Sequence, residues 1–136
     1  MCVANSARSQ LAEGVAKLLF GDRVEIMSAG SRPAQVNPFA ANALREIGFD
    51  SSTLYSKAVN DLPVEFVESL DYVITLCAEE VCPVVLSNAP KIHWPLPDPA
   101  NRIGSDEEQM NTFRTTRDEI QRRLQVFQRE ALPGNS

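Results

Sequence analysis

Positive charge is in short supply in this sequence, as are histidine, tryptophan and long apolar runs. Thirteen Lys and Arg face 18 Asp and Glu, a formal net charge of −5, so nothing is left over to neutralise a phosphate backbone or to adhere to an anionic bilayer. Neither nucleic acid nor a membrane is expected as a partner. No apolar stretch reaches the roughly 20 residues of a membrane span, and the first residues lack the charged and apolar regions of a signal peptide. One histidine among dispersed carboxylates makes a poor transition-metal set, and the Cys77/Cys82 pair has no two further ligands nearby, so no metal is expected. Cysteine is also sparse and odd in number: Cys2, Cys77 and Cys82 cannot form a disulfide framework. Reactive chemistry or plain burial in a reducing, cytoplasmic compartment is the expectation.

What the sequence does have is alternation. Its 136 residues, 43% of them hydrophobic, suit one domain spanning 1–136 with a single core. SQLAEGVAKLLF sets Leu11, Val15, Leu18 and Leu19 at helical spacing, with Glu13 and Lys17 as an i,i+4 pair. VEIMSAG reads as a short strand ended by Gly30. NPFAANALREIGF reads as a helix with Asn37 as N-cap, Pro38 in the first position and Gly48 as the stop. PVEFVESL predicts a short helix, DYVITLC a strand covered on both faces, and KIHWPL a last short strand. From Asp106 to about Ala131, Met110, Phe113, Ile120, Leu124 and Phe127 mark one face of a long closing helix, whose opening acidic residues suit the helix dipole. The fold class is therefore α/β, with a short parallel sheet flanked by helices in three layers, and chemistry is expected where strands end.

The opening CVANSARS brackets small residues between Cys2 and Arg8, with a helix beginning at about the arginine. Such a loop can turn the backbone N–H groups of Val3, Ala4, Asn5, Ser6, Ala7, Arg8 and Ser9 inward, against the positive end of the helix, as a nest for an oxyanion. The same donors and the Arg8 guanidinium favour Cys2 as thiolate, the nucleophilic form. Arg8 offers a planar fork suited to a tetrahedral anion, and Ser9 a hydroxyl. Read alone, the pair is equally a coincidence of spacing. Cys77 reads as a buried strand residue or a reactive thiol, Asp98 as a turn residue before Pro99 or an acid, and Lys57 as a solvated lysine by default or as positive charge lent to the loop. His93 and Trp94 read as a structural pair.

Four stretches taken in order, CVANSARSQLAEG, SAGSRPAQVNPFAANALREIGFD, DYVITLCAEEVCP and HWPLPDPA, resemble the low-molecular-weight protein tyrosine phosphatase superfamily, and specifically its arsenate reductase branch. The resemblance implies Cys2 as nucleophile, Arg8 as the oxyanion-binding arginine, Ser9 as support for the thiolate, Asn5 as the residue shaping the loop, and Asp98 as general acid. It also implies a thiol relay in which Cys77 displaces arsenite from Cys2 and Cys82 resolves the resulting disulfide. No bound cofactor is implied. The electrons come from an external reductant of thioredoxin or glutaredoxin type, or from a low-molecular-weight thiol. The alternative within the family is a tyrosine phosphatase, but PLPDPANRIG lacks the aromatic residues that phosphatases of this fold commonly place after their DP pair. A small inorganic oxyanion, arsenate or a phosphate-like ion, fits better.

In one respect the sequence departs from the family pattern. That pattern runs a strand of about half a dozen apolar residues into its nucleophile, whereas here Met1 alone precedes Cys2. A late start is expected over a short variant or a gap filled by a second chain. A loop anchored on one side only would let the Cys2 pKa drift toward that of a free thiol, which leaves an inactive anion-binding module as the reading from another class.

Overall fold

The expected helices form where their sequence signals put them, and the sheet is smaller than the strand patterns suggest. The computed structural model describes residues 7–78, 87–101 and 104–131. In chain order the elements are α1 (Arg8–Phe20), α2 (Pro38–Glu46), α3 (Val64–Glu68), β1 (Val73–Thr75), β2 (Lys91–His93) and α4 (Asp106–Ala131). The two strands pair in parallel, with Val73 opposite Lys91, Ile74 opposite Ile92 and Thr75 opposite His93. Two further bonds, Trp94 N to the Thr75 carbonyl (2.8 Å) and Leu96 N to the Leu76 carbonyl (3.2 Å), extend their contact toward the C-terminal end. A short parallel sheet with helices packed on it is the α/β class expected.

Helix α1 departs from the simple amphipathic reading. From Ala7 to Ala16 every residue but Ala12 is buried, so this helix is enclosed nearly all round rather than along one stripe. Leu18, expected in the core, is instead 43% exposed, and Phe20 closes the last turn with its ring 6.3 Å from that of Phe127. Enclosure demands close neighbours. A Cβ on Gly14 would come within 2.6 Å of Leu44 on α2, so the absent side chain lets α1 and α2 pack together.

The caps of the other helices follow the sequence. Asn37 Oδ1 accepts from Phe39 N at 2.8 Å, and Gly48 takes the left-handed φ of +90° past the end of α2. Ser105 Oγ accepts from Glu108 N at 3.2 Å and donates to the Glu108 carboxylate, a side-chain N-cap for α4, whose acidic first turn complements the helix dipole. The α4 stripe buries Phe113, Ile120 and Leu124 as expected. Arg117, on the same stripe, is buried too, donating to the Ala43 carbonyl (2.8 Å) and to Glu46 Oε1 (2.9 Å). It satisfies a carbonyl in the last turn of α2 while tying the two helices together.

One expected strand is missing. VEIMSAG does not join the sheet: residues 25–29 carry no regular structure, and Gly30 makes an isolated parallel bridge to Ala58. That bridge rests on Gly30 N to the Lys57 carbonyl and Val59 N to the Gly30 carbonyl, both 3.0 Å. The β-branched and apolar side chains favour extended backbone, but a strand exists only through a ladder partner, and no described residue supplies one to 24–27. DYVITLC and KIHWPL likewise shrink to three paired residues each.

Candidate active site

At the C-terminal end of β1 and β2 the chain collects its catalytic candidates. Helix α1 starts there. Its N-cap, Ala7, has no side-chain oxygen, and its first turn holds no acidic residue, so no carboxylate of that turn offsets the positive end of the helix dipole. Arg8 is 4% exposed. Its Nη1 donates to the Leu96 carbonyl at 2.8 Å and to the Leu76 carbonyl at 3.3 Å, while Nη2 stands 4.0 Å from Asp98 Oδ2. The two carbonyls thus fix the guanidinium across the strand ends. Ser9 sits buried on the same first turn.

Cys77 follows Leu76 directly, so a sulfur expected at a strand end lies one residue from a carbonyl that holds Arg8. It is buried, 1% exposed. Asp98 makes the turn read from the sequence, Oδ1 accepting from Ala100 N at 3.0 Å, while Oδ2 stands 4.0 Å from Arg8 Nη2. Ala7, Arg8, Ser9, Cys77 and Asp98 are therefore described. Cys2, Val3, Ala4, Asn5, Ser6 and Cys82 lie outside the described residues. His93 Nδ1 meets Thr75 Oγ1 at 2.6 Å, and Trp94 packs against Phe127, so neither points to catalysis.

Behind the first turn lies a buried polar cluster. Glu13 Oε1 accepts from Ser28 N (2.8 Å), Ser28 Oγ (2.7 Å) and Lys57 Nζ (3.4 Å), and Oε2 accepts from Lys17 Nζ at 2.9 Å. Burial pushes the Glu13 carboxyl upward, but hydrogen bonds from Lys17 and Ser28 and the charges of Lys57 and Lys17 outweigh it, holding the group below its ordinary 4.5. Lys57, expected in solvent, is only 7% exposed, its ammonium 4.5 Å from the Tyr55 ring centre. The correction has a plain cause: a lysine is buried when a carboxylate and an aromatic face await it. Sequence spacing showed only the Glu13–Lys17 pair, because the other partners are 15 and 44 residues away. Among the described residues no group of three His, Cys, Asp or Glu side chains could hold a metal ion.

With this geometry in view, comparison with known proteins is decisive. Residues 1–133 match the family model for low molecular weight phosphotyrosine protein phosphatase. The chain belongs to that family. It is 43% identical over 129 residues to an arsenate reductase of Halalkalibacterium halodurans, covering 93% of this chain and 91% of the relative. Among solved structures it is similar to an arsenate reductase in the phosphate binding state, with a TM-score of 0.72, 30% identity, and coverage of 93% of this chain and 91% of that one. It is also similar to a thioredoxin-dependent arsenate reductase of Corynebacterium glutamicum, with a TM-score of 0.61, 28% identity, and coverage of 92% and 59%.

Proposed function

We propose that the protein is an arsenate reductase. The observation that carries the reading is Arg8 anchored on the Leu76 carbonyl, with the buried Cys77 next in sequence. An anion-holding guanidinium beside a second thiol serves redox chemistry; a phosphatase has no use for that thiol. The 43% identity to an arsenate reductase over nearly the whole chain supports it.

In the proposed cycle the Cys2 thiolate attacks arsenic(V) and an arsenate oxygen leaves as water, giving a sulfur–arsenic bond. The amides of residues 3–9 and the Arg8 guanidinium hold the remaining oxygens, and Asp98 gives the proton that the departing oxygen needs. Cys77 thiolate then attacks the Cys2 sulfur. The electron pair of the sulfur–arsenic bond goes to arsenic, arsenite departs, and a Cys2–Cys77 disulfide remains. Cys82 attacks Cys77, freeing Cys2 as thiolate and leaving a Cys77–Cys82 disulfide for an external dithiol to reduce. Thioredoxin is the reductant we favour, since the Corynebacterium glutamicum neighbour is thioredoxin-dependent; a glutaredoxin or small thiol is the alternative. A single domain of residues 1–136 working in the reducing cytoplasm completes the reading, and among the described residues no helix is long and apolar enough to cross a membrane.

A phosphatase is the second reading, favoured by the family description and by Asp98 facing Arg8. The test compares arsenate turnover, driven by thioredoxin and its reductase, with aryl phosphate hydrolysis. Cys77→Ser and Cys82→Ser are expected to lower arsenate turnover by about a hundredfold or more while leaving hydrolysis near its starting level. Full arsenate turnover in both variants would rule out the relay. Hydrolysis that dominates and ignores both changes would favour the phosphatase, and no activity in either assay the anion-binding module.

A further inference from the structure

The carbonyl of Leu76 accepts two donors at once: Leu96 N at 3.2 Å, which continues the contact between β1 and β2, and Arg8 Nη1 at 3.3 Å. The same Nη1 donates to the Leu96 carbonyl at 2.8 Å. One guanidinium nitrogen thus closes a triangle of hydrogen bonds between two strand ends, with Leu76 and Leu96 both buried. Cys77 is tied into that triangle covalently. The planar peptide unit that carries the Leu76 carbonyl also carries the Cys77 N and Cα, so a turn of the backbone at Cys77 swings a carbonyl that fixes Arg8. On the far side of the guanidinium the Asp98 carboxylate stands 4.0 Å from Nη2, beyond hydrogen-bond length.

We propose that this triangle couples the oxyanion site to the redox state of Cys77: a Cys77–Cys82 disulfide lowers the affinity for a tetrahedral oxyanion, and a bound oxyanion favours the dithiol. The inference rests on the thiol relay of the proposed function. Residues five positions apart, as Cys77 and Cys82 are, have Cα atoms about 9 Å apart in a helix and about 16 Å apart in an extended run. A disulfide needs them within roughly 7 Å. Closing the bond therefore bends the chain at Cys77, and the peptide unit ahead of it turns. A buried N–H that loses an acceptor is costly until it finds another. Asp98 is the acceptor at hand, and its charge makes it a strong one. Once Arg8 closes on Asp98, Nη2 is engaged and the positive charge is offset, so the guanidinium has less to offer an incoming anion. Linkage makes the effect reciprocal: the factor that the disulfide removes from oxyanion affinity reappears, at saturating oxyanion, as a more positive reduction potential. Oxidised enzyme then holds no arsenate while it waits for its reductant.

The test uses the full chain, with inorganic phosphate as the probe. Diamide, a two-electron thiol oxidant, takes both electrons and both protons of the Cys77 and Cys82 thiols and is reduced to its hydrazine as the sulfur–sulfur bond forms. Mass-spectrometric mapping verifies the pair, and calorimetric titration gives the phosphate Kd of each form. The disulfide form is expected to bind phosphate roughly tenfold or more weakly than the dithiol form. Saturating phosphate should raise the Cys77–Cys82 potential by about 30 mV for each tenfold of that ratio. Asp98→Asn removes the competing carboxylate, and its two forms should differ by less than about threefold. A gap below about threefold in the unaltered chain, or a tenfold gap that persists in Asp98→Asn, would overturn the coupling while leaving the relay standing. Failure of diamide to give any Cys77–Cys82 pair would overturn the relay, and the coupling with it.

Discussion

Arg8 works at two tasks, and its chemistry explains why lysine cannot replace it. The planar guanidinium reaches two strand-end carbonyls through Nη1 and Asp98 through Nη2; an ammonium on a flexible stem offers no such fork. Arg8→Lys is expected to weaken phosphate inhibition and to lower kcat/KM for arsenate by roughly a hundredfold, which steady-state kinetics will show. Glu13 is the complementary case, an anion kept charged in the interior by partners that the sequence separates widely. Lys57→Met removes one of them and is expected to cost about 3 kcal/mol, the scale for stranding a buried charge. Adding Glu13→Gln should return much of that loss, and urea unfolding of both variants checks the coupling. That Arg8 opens a helix after small residues was legible from local spacing; a role in holding an oxyanion came only from the family resemblance. Lys57 was not, since its burial depends on a carboxylate 44 residues away.

At the level of elements, local signals succeed where a helix caps itself and fail where a partner decides. Asn37, Pro38 and Gly48 bound α2 as their chemistry dictates, and Ser105 with Glu108 starts α4. VEIMSAG has the composition of a strand without being one, because strand formation is a property of pairs. Helix α1 looked amphipathic and proved enclosed, for Glu13 and Gln10 are polar yet buried, and Gly14 admits Leu44. Gly14→Ala should favour α1 as an isolated helix but is expected to destabilise the protein by about 1–3 kcal/mol through overpacking, read as a lower urea midpoint. The α2–α4 clamp yields a pH prediction. Hydrogen bonds from Arg114 and Arg117 hold Glu46 at about 2, against an ordinary 4.5, so its folded form binds a proton less readily than its unfolded form. The clamp's contribution is therefore full above pH 4.5 and fades as pH falls toward 2. Glu46→Gln should lower the urea midpoint at neutral pH and flatten its fall through that acid window.

For the whole molecule, the helices and the parallel pair followed from the alternation of patterns along the chain. What stayed hidden is the triangle that Arg8 closes between Leu76 and Leu96, because it is a relation between distant segments and leaves no periodicity behind. The central claim is a single path of oxidation through three thiols that begins at an Arg8-bound oxyanion. It is tested most directly by mass-spectrometric disulfide mapping after reduced protein receives one equivalent of arsenate with no reductant present. A Cys77–Cys82 disulfide is expected in the unaltered chain, and a Cys2–Cys77 disulfide in Cys82→Ser, each with one equivalent of arsenite released. Three cysteines that remain reduced, or arsenite released equally by Cys77→Ser, would contradict it.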